Sequence, residues 1–169
     1  MKKLKCIMLI IIISLLLCSC SLKTPDEYYS SSNIENEIKV LVSIDCSVIL
    51  ENFDKLDEEL IDIVPEDGII LSPTEIVISD DSSVFDALRE VCRQNKIHFE
   101  YTGSDSDIYI EGIANIYEFS CGPLSGWEYK VNGEFYPIGC NNIKLNDTDV
   151  VEFIYTCDLG EDIGNSYTE

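Results

Sequence analysis

Between Val84 and Tyr101 the apolar residues of the chain change their spacing from helical to alternating. Val84, Phe85, Leu88, Val91 and Cys92 recur at the 3.6-residue period of an amphipathic helix. Ser83 stands before them as an N-cap, with Asp86 three residues on as its capping-box partner. Asp86 and Glu90 lie toward the start, and Arg89, Arg93 and Lys96 toward the end, the order that the helix dipole favours. From Ile97 the period becomes two. Ile97, Phe99 and Tyr101 alternate with His98, Glu100 and Thr102, which gives a strand one apolar face. A chain that switches in this way lays a helix on the apolar face of a sheet, and the fold class is α+β.

The remaining segments extend that sheet. IKVLVSID (38–45) is a strand rich in β-branched residues. Residues 46–64 mix apolar and acidic side chains at near-helical spacing and predict one or two short helices ended by Pro65. Residues 68–80 predict one or two extended segments broken at Pro73. IYIEGI (108–113) and NIYEFS (115–120) are further short strands. Trp127, Tyr129 and Val131 share a face, and Asn132-Gly133 turns a two-residue hairpin, since both positions tolerate positive φ. DVVEFIYT (149–156) is the last strand. The expected architecture is a mixed sheet packed on one main helix, a single small domain over residues 38–160 followed by a polar tail, 161–169.

The start of the chain speaks to its destination. Lys2, Lys3 and Lys5 precede an apolar stretch from Ile7 to Leu17 that is too short to span a bilayer, the pattern of a secretory signal. Leu17-Cys18-Ser19-Cys20 resembles a bacterial lipobox. The resemblance implies removal of residues 1–19 and lipidation of Cys20, which would anchor the protein on the extracytoplasmic face of the cell membrane. Residues 20–37 then form a tether, with a Ser run, a Pro and no apolar period; as a flexible coil its length gives a reach of roughly 22 Å. The chain carries 32 acidic against 11 basic residues, a net charge of −21, and losing the leader lysines makes the remainder more acidic. Nucleic acid is excluded as a partner, because no basic patch exists to displace phosphate counterions. Anionic headgroups repel such a surface, so the lipid and not the protein face holds the membrane.

Catalytic constellations are missing. His98 is the sole histidine and falls on the polar side of its strand beside Glu100, whereas Ser or Cys nucleophiles need an adjacent base. Gly122-Pro123-Leu124-Ser125-Gly126 has the spacing GxxSG and not that of a nucleophile elbow. The acidic pairs at Asp80-Asp81, Asp105/Asp107 and Asp147/Asp149 sit at expected turns and lack the calcium-loop pattern. The expectation is a protein that is not an enzyme, with no metal and no cofactor. Five cysteines remain for the domain: Cys46, Cys92, Cys121, Cys140 and Cys157. An odd number leaves at least one thiol unpaired. Cys92, on the buried helical stripe, is the expected free one.

The second half of the chain carries a family resemblance. SVFDALREVC (83–92), IYIEGI (108–113), CGPLSGWEYKVNG (121–133) and IGCNNIKLNDTDVVEFIYT (138–156) stand in an order that resembles the bacterial domains likened to the C-terminal domain of transcobalamin and intrinsic factor. The resemblance implies a β-grasp-like module in which the first and last strands lie parallel and adjacent. It further implies bridges Cys46–Cys157, across the ends of those strands, and Cys121–Cys140, around the Trp hairpin. Vertebrate relatives bind cobalamin with the help of a partner α-domain. The function so implied is extracytoplasmic capture of a small molecule, cobalamin or a related corrinoid, for a transporter or partner, with Tyr117, Leu124, Trp127, Tyr129 and Tyr136 as contact residues. The alternative is a non-catalytic cell-surface module for protein interaction or adhesion.

Overall fold

The computed structural model describes residues 36–104 and 107–165. The leader 1–19, Cys20 and the tether up to residue 35 lie outside the described residues, as do positions 166–169 of the tail. In chain order the elements are β1 (Glu37–Asp45), 3₁₀ turns at Ser47–Glu51 and Glu58–Leu60, β2 (Ile69–Ser79), α1 (Val84–Asn95), β3 (Phe99–Ser104), β4 (Asp107–Ile113), β5 (Ile116–Tyr117), β6 (Gly126–Val131), β7 (Glu134–Phe135), a 3₁₀ turn at Cys140–Asn142, β8 (Val150–Thr156) and a last 3₁₀ turn at Glu161–Ile163.

Alternation in β1 sends Ile38, Val40, Val42 and Ile44 inward, all nearly or fully buried. The strand takes the second place in a five-stranded mixed sheet of order β2-β1-β8-β6-β7. It pairs antiparallel with β2 and parallel with β8, Val42 opposite Val151 and Ile44 opposite Phe153. β8 pairs antiparallel with β6, which sets Trp127 opposite Tyr155 and Tyr129 opposite Phe153. The inward faces of the three central strands therefore form one apolar wall. Helix α1 packs on β1 and β2 and buries Val84, Phe85, Ala87, Leu88, Val91 and Cys92. Its start is the expected capping box: Ser83 Oγ accepts from Asp86 N (3.2 Å), and Asp86 Oδ2 accepts from Ser83 N (2.9 Å). It ends at Lys96, which adopts a left-handed conformation as C-cap.

The sheet on a single main helix matches the expected α+β class, and β1 and β8 are adjacent and parallel as the resemblance implies. A second sheet, β3-β4-β5, is additional. Its β3 lays Phe99 and Tyr101 against Phe85, with the Phe85 and Tyr101 rings edge-on at 4.7 Å.

Four local expectations change. Residues 46–64 form short 3₁₀ turns in place of α-helices, held by acidic side chains such as Asp57, which accepts from Glu59 N. Residues 69–79 are one unbroken strand despite Pro73. β2 is an edge strand, where a missing N–H costs no ladder bond, and Pro73 falls at the register shift between the Val42 and Ile44 pairings. Of residues 115–120 only Ile116–Tyr117 pair as a strand, since Phe119 takes a positive φ of 66° and turns the chain. Residues 161–165, expected as tail, are tied to the sheet: Cys157 N donates to Asp162 Oδ2 at 2.7 Å, and Asn165 Nδ2 donates to Glu128 Oε2 at 2.6 Å.

Leu88 is fully buried beneath the sheet, so Leu88→Ala removes a side chain whose space cannot fully collapse and lowers the unfolding free energy by about 3 kcal/mol. Ser83→Ala removes the cap and costs about 1 kcal/mol. Urea denaturation of the two variants reads both values and their order.

Candidate functional site

Where β6 leaves the hairpin, the chain folds back over its own aromatic face. Asn132 (φ 53°) and Gly133 (φ 83°) make the expected turn, and β7 carries the chain into Tyr136-Pro137-Ile138-Gly139. The Tyr129 hydroxyl donates to the Ile138 carbonyl oxygen at 2.7 Å and ties this return segment down. The Tyr129 and Tyr136 rings lie parallel within 6°, 6.3 Å apart. Gly139 makes the closest approach to β4: a Cβ there would meet Asp107 Oδ1 at 2.5 Å and Asn141 Oδ1 at 2.8 Å. Asn141 Oδ1 in turn accepts from Ile108 N at 2.9 Å.

Between β4, β6 and this return segment lies a cavity of about 410 Å³. Trp127, Tyr129 and Phe153 form its inner wall, Tyr109 and Ile110 of β4 one side, and Tyr136 and Ile138 the rim. The polar tips of the wall are already engaged. Trp127 Nε1 donates to the Ile116 carbonyl oxygen (2.8 Å), and the Tyr109 hydroxyl donates to Glu118 Oε2 (2.7 Å). Burial, together with the carboxylates beside it, pushes the Tyr109 hydroxyl up to about 12; burial likewise raises that of Tyr129. The Tyr109 and Tyr129 hydroxyls therefore stay protonated at physiological pH. The lining thus offers apolar aromatic surface, with the Asp107 carboxylate at its edge.

The expected contact residues divide. Trp127, Tyr129 and Tyr136 come together at the cavity. Tyr117 stands on the second sheet, where its hydroxyl donates to Glu100 Oε1 at 2.9 Å. Leu124 is exposed on the turn before β6. Tyr109, Phe153 and the Pro137–Gly139 segment complete the cavity; the Pro-Ile-Gly run was the available sign that the chain bends close to a neighbour there. His98 is exposed and pairs only with Glu100, Nε2 to Oε1 at 2.9 Å. Among the described residues no group of three His, Cys, Asp or Glu is placed to hold a metal ion.

The cysteines also depart from the expected pairs. All five are buried thiols in the structure. Cys46 donates to the Gly68 carbonyl oxygen at 3.2 Å, and Cys140 faces the Ile108 carbonyl at 4.0 Å. Cys121 and Cys157, expected in two different bridges, lie close enough for each thiol to affect the other's ionisation. The β6–β8 register, with Gly126 opposite Thr156, brings the turn before β6 alongside residue 157.

Residues 81–156 match the family described as a domain of unknown function, DUF4430. Among solved structures, haptocorrin in complex with Cbi superposes with a TM-score of 0.53 at 16% identity, covering 75% of this chain and 27% of haptocorrin. This chain therefore spans about a quarter of that protein. A protein from Ruminococcus gnavus ATCC 29149, provisionally described as metal binding, gives a TM-score of 0.41 at 13% identity, covering 72% of this chain and 96% of its own. No curated protein sequence matches the chain. The haptocorrin likeness is one of fold.

Glu128, on the sheet face opposite Trp127 and Tyr129, has its carboxyl raised, chiefly by burial and against the bond from Asn165. The folded state therefore holds that proton to higher pH than the unfolded chain. Stability contributed by Glu128 declines as pH rises from the ordinary glutamate range of about 4.3 through the folded value, and is level above it. Glu128→Gln is expected to be more stable than wild type at pH 7 and indistinguishable from it at pH 4, compared by thermal melts across that range.

Proposed function

We propose that the protein is a lipid-anchored extracytoplasmic binding module that captures a small, flat, largely apolar molecule in the cavity between β4 and the β6–β7 hairpin, and acts by binding rather than by catalysis. The observation that carries this reading is an aromatic cavity of about 410 Å³, within the roughly 300–1,000 Å³ typical of ligand pockets. The Trp127 N–H and the Tyr109 and Tyr129 hydroxyls are already hydrogen bonded within the protein. A site of this kind contributes stacking and desolvation and asks few hydrogen bonds of its ligand. The leader, lipobox and acidic tether support placement outside the membrane, on a short lipid-held stalk. Haptocorrin, which shares part of its fold with this domain, was solved in complex with Cbi, and this makes corrinoids the first class to test. The cavity accommodates one edge or side group of such a macrocycle, leaving the rest open for a transporter or partner domain to grip.

A second reading is favoured by a separate observation. Phe119, Leu124 and Leu159 are 63%, 42% and 58% exposed, and Phe119 and Leu159 hold positive φ values of 66° and 50°. Backbone bonds from Phe119 N to Ser125 O and from Leu159 N to Leu124 O join these loops into one apolar ridge. Strained apolar residues turned toward solvent suit contact with a surface protein.

Trp127 is the sole tryptophan, so its fluorescence reports on the cavity alone. Titration with cobinamide and cobalamin, with planar aromatic compounds as further probes, is expected to give a saturable change at micromolar concentration. Tyr136→Ala, which removes a rim ring, should weaken binding at least tenfold with far-UV circular dichroism unchanged. A folded protein whose Trp127 emission shows no saturable response to any of these ligands overturns the capture reading. Loss of partner crosslinking in Phe119→Ser with ligand response intact would move the function to the ridge.

A further inference from the structure

We infer that Cys121 and Cys157 form a disulfide in the exported protein, tying the turn before β6 to the end of β8. Three contacts fix the two positions side by side. The antiparallel ladder of β6 and β8 runs to Gly126 opposite Thr156, and beyond it Leu159 N donates to the Leu124 carbonyl oxygen at 2.9 Å. Residue 157 is therefore held between two points of contact with the same turn. Cys121 N donates to Ser125 Oγ at 3.0 Å, folding Cys121 back over the turn, and Ser125 Oγ lies 2.9 Å from the Tyr155 hydroxyl. The two thiols are buried together, Cys121 fully and Cys157 to within 4%. Cys121 donates to the Asn52 carbonyl oxygen at 3.4 Å, and the Cys121 and Cys157 thiols each bear on the other's ionisation.

The other thiols are differently placed. Burial pushes the Cys46, Cys92 and Cys140 thiols up to about 12 and raises Cys157 as well; what separates the three from the pair is position, since Cys46 donates to the Gly68 carbonyl oxygen, Cys140 faces the Ile108 carbonyl and Cys92 lies on the buried stripe of α1. At Cys121 burial also raises the thiol, but the Cys157 hydrogen bond and the Lys55 charge oppose it. Exchange takes place before folding buries the two sulphurs and can begin at Cys121. Its thiolate displaces one sulphur of a disulfide R–S–S–R, supplied by a small-molecule disulfide or a thiol–disulfide oxidoreductase, to give Cys121–S–S–R and R–S⁻. The Cys157 thiolate then attacks the Cys121 sulphur and releases the second R–S⁻. The two cysteines lose two electrons and two protons, and R–S–S–R becomes two R–SH. The bridge spans a long loop that contains β6, the hairpin and β8, and so removes much chain freedom from the unfolded state. It also lies beneath the Leu124 and Leu159 ridge and one strand-end from Trp127.

The test does not depend on ligand capture. The purified domain with its tether is equilibrated with oxidised glutathione, alkylated after denaturation and digested without reduction. The expected product is one Cys121–Cys157 cross-linked peptide lighter by two hydrogens, with Cys46, Cys92 and Cys140 alkylated. Reduction should lower the thermal midpoint by on the order of 10 °C. Cys121→Ser and Cys157→Ser should each abolish the cross-link and the reductant-sensitive shift, while Cys46→Ser leaves both. Recovery of Cys121 and Cys157 both alkylated, or of either linked to another cysteine, overturns the inference whether or not the serine variants fold.

Discussion

The parallel pairing of β1 with β8 is the contact on which the rest of the domain depends. It joins the first and last strands of the described chain, so the helix and every other strand lie within the loop it closes. The pairing is made by side chains that are nearly or wholly buried: Val42 and Ile44 on one strand, Val151 and Phe153 on the other. Fully burying such side chains contributes roughly 1.5–3 kcal/mol each, against the entropy of closing a loop that spans most of the domain, which grows only with the logarithm of its length. β8 at the centre then fixes two further things. Its one edge sets β1 and, through it, β2 and the helix; its other edge sets β6, and with β6 the aromatic wall of the cavity. Displacement of β8 by one residue would turn Phe153 and Tyr155 to solvent and empty the wall behind Trp127.

Local patterns were readable where one face of an element meets the core and the other meets water. The α1 stripe, its capping box, the alternation of Trp127, Tyr129 and Val131, and the Asn132-Gly133 turn all record such two-sided environments. The misread segments are those whose structure is decided by neighbours. Pro73 signals a break only if its strand is internal, and no local property of residues 68–80 reveals that β2 is an edge. Residues 46–64 have helix-like spacing, yet side-chain caps and 3₁₀ bonds hold them, because the segment must reach from the end of β1 to the start of β2 in short bends. The second sheet was hidden for the same reason: β3 alternates, but its apolar face is covered by one helix residue, Phe85, and not by a full core.

The cavity shows the same division between local and tertiary information. Trp127 and Tyr129 read as core residues from their alternation, and both are buried. They also line a cavity, because the return segment after β7, close to β4 at Gly139, leaves space over rings that are otherwise packed. Three of the five expected contact residues meet there because they share the hairpin. Tyr117 and Leu124 do not, since sequence proximity to the hairpin says nothing about which sheet or which end of a strand a residue joins. The cavity residues that spacing did not flag, Tyr109 and Phe153, come from β4 and β8, distant in the chain and adjacent only through sheet order.

Cysteine pairing carries this argument furthest. The expected bridge across the ends of β1 and β8 treated adjacent strands as adjacent thiols. In the structure β1 and β8 are indeed neighbours, yet Cys46 follows a strand that bends into a 3₁₀ turn and donates to Gly68, whereas Cys157 follows a strand whose antiparallel partner is β6. Antiparallel neighbours bring the start of one strand to the end of the other, so the residues just before β6 and just after β8 must meet. Cys157 occupies the second position, and Cys121, earlier on the turn, is folded back to the first by the bond from its N to Ser125 Oγ. The same register that places Trp127 against Tyr155 in the wall of the cavity therefore selects the cysteine pair. Cavity and thiol pair are two consequences of one strand alignment, and a change that shifts β6 against β8 should disturb both together.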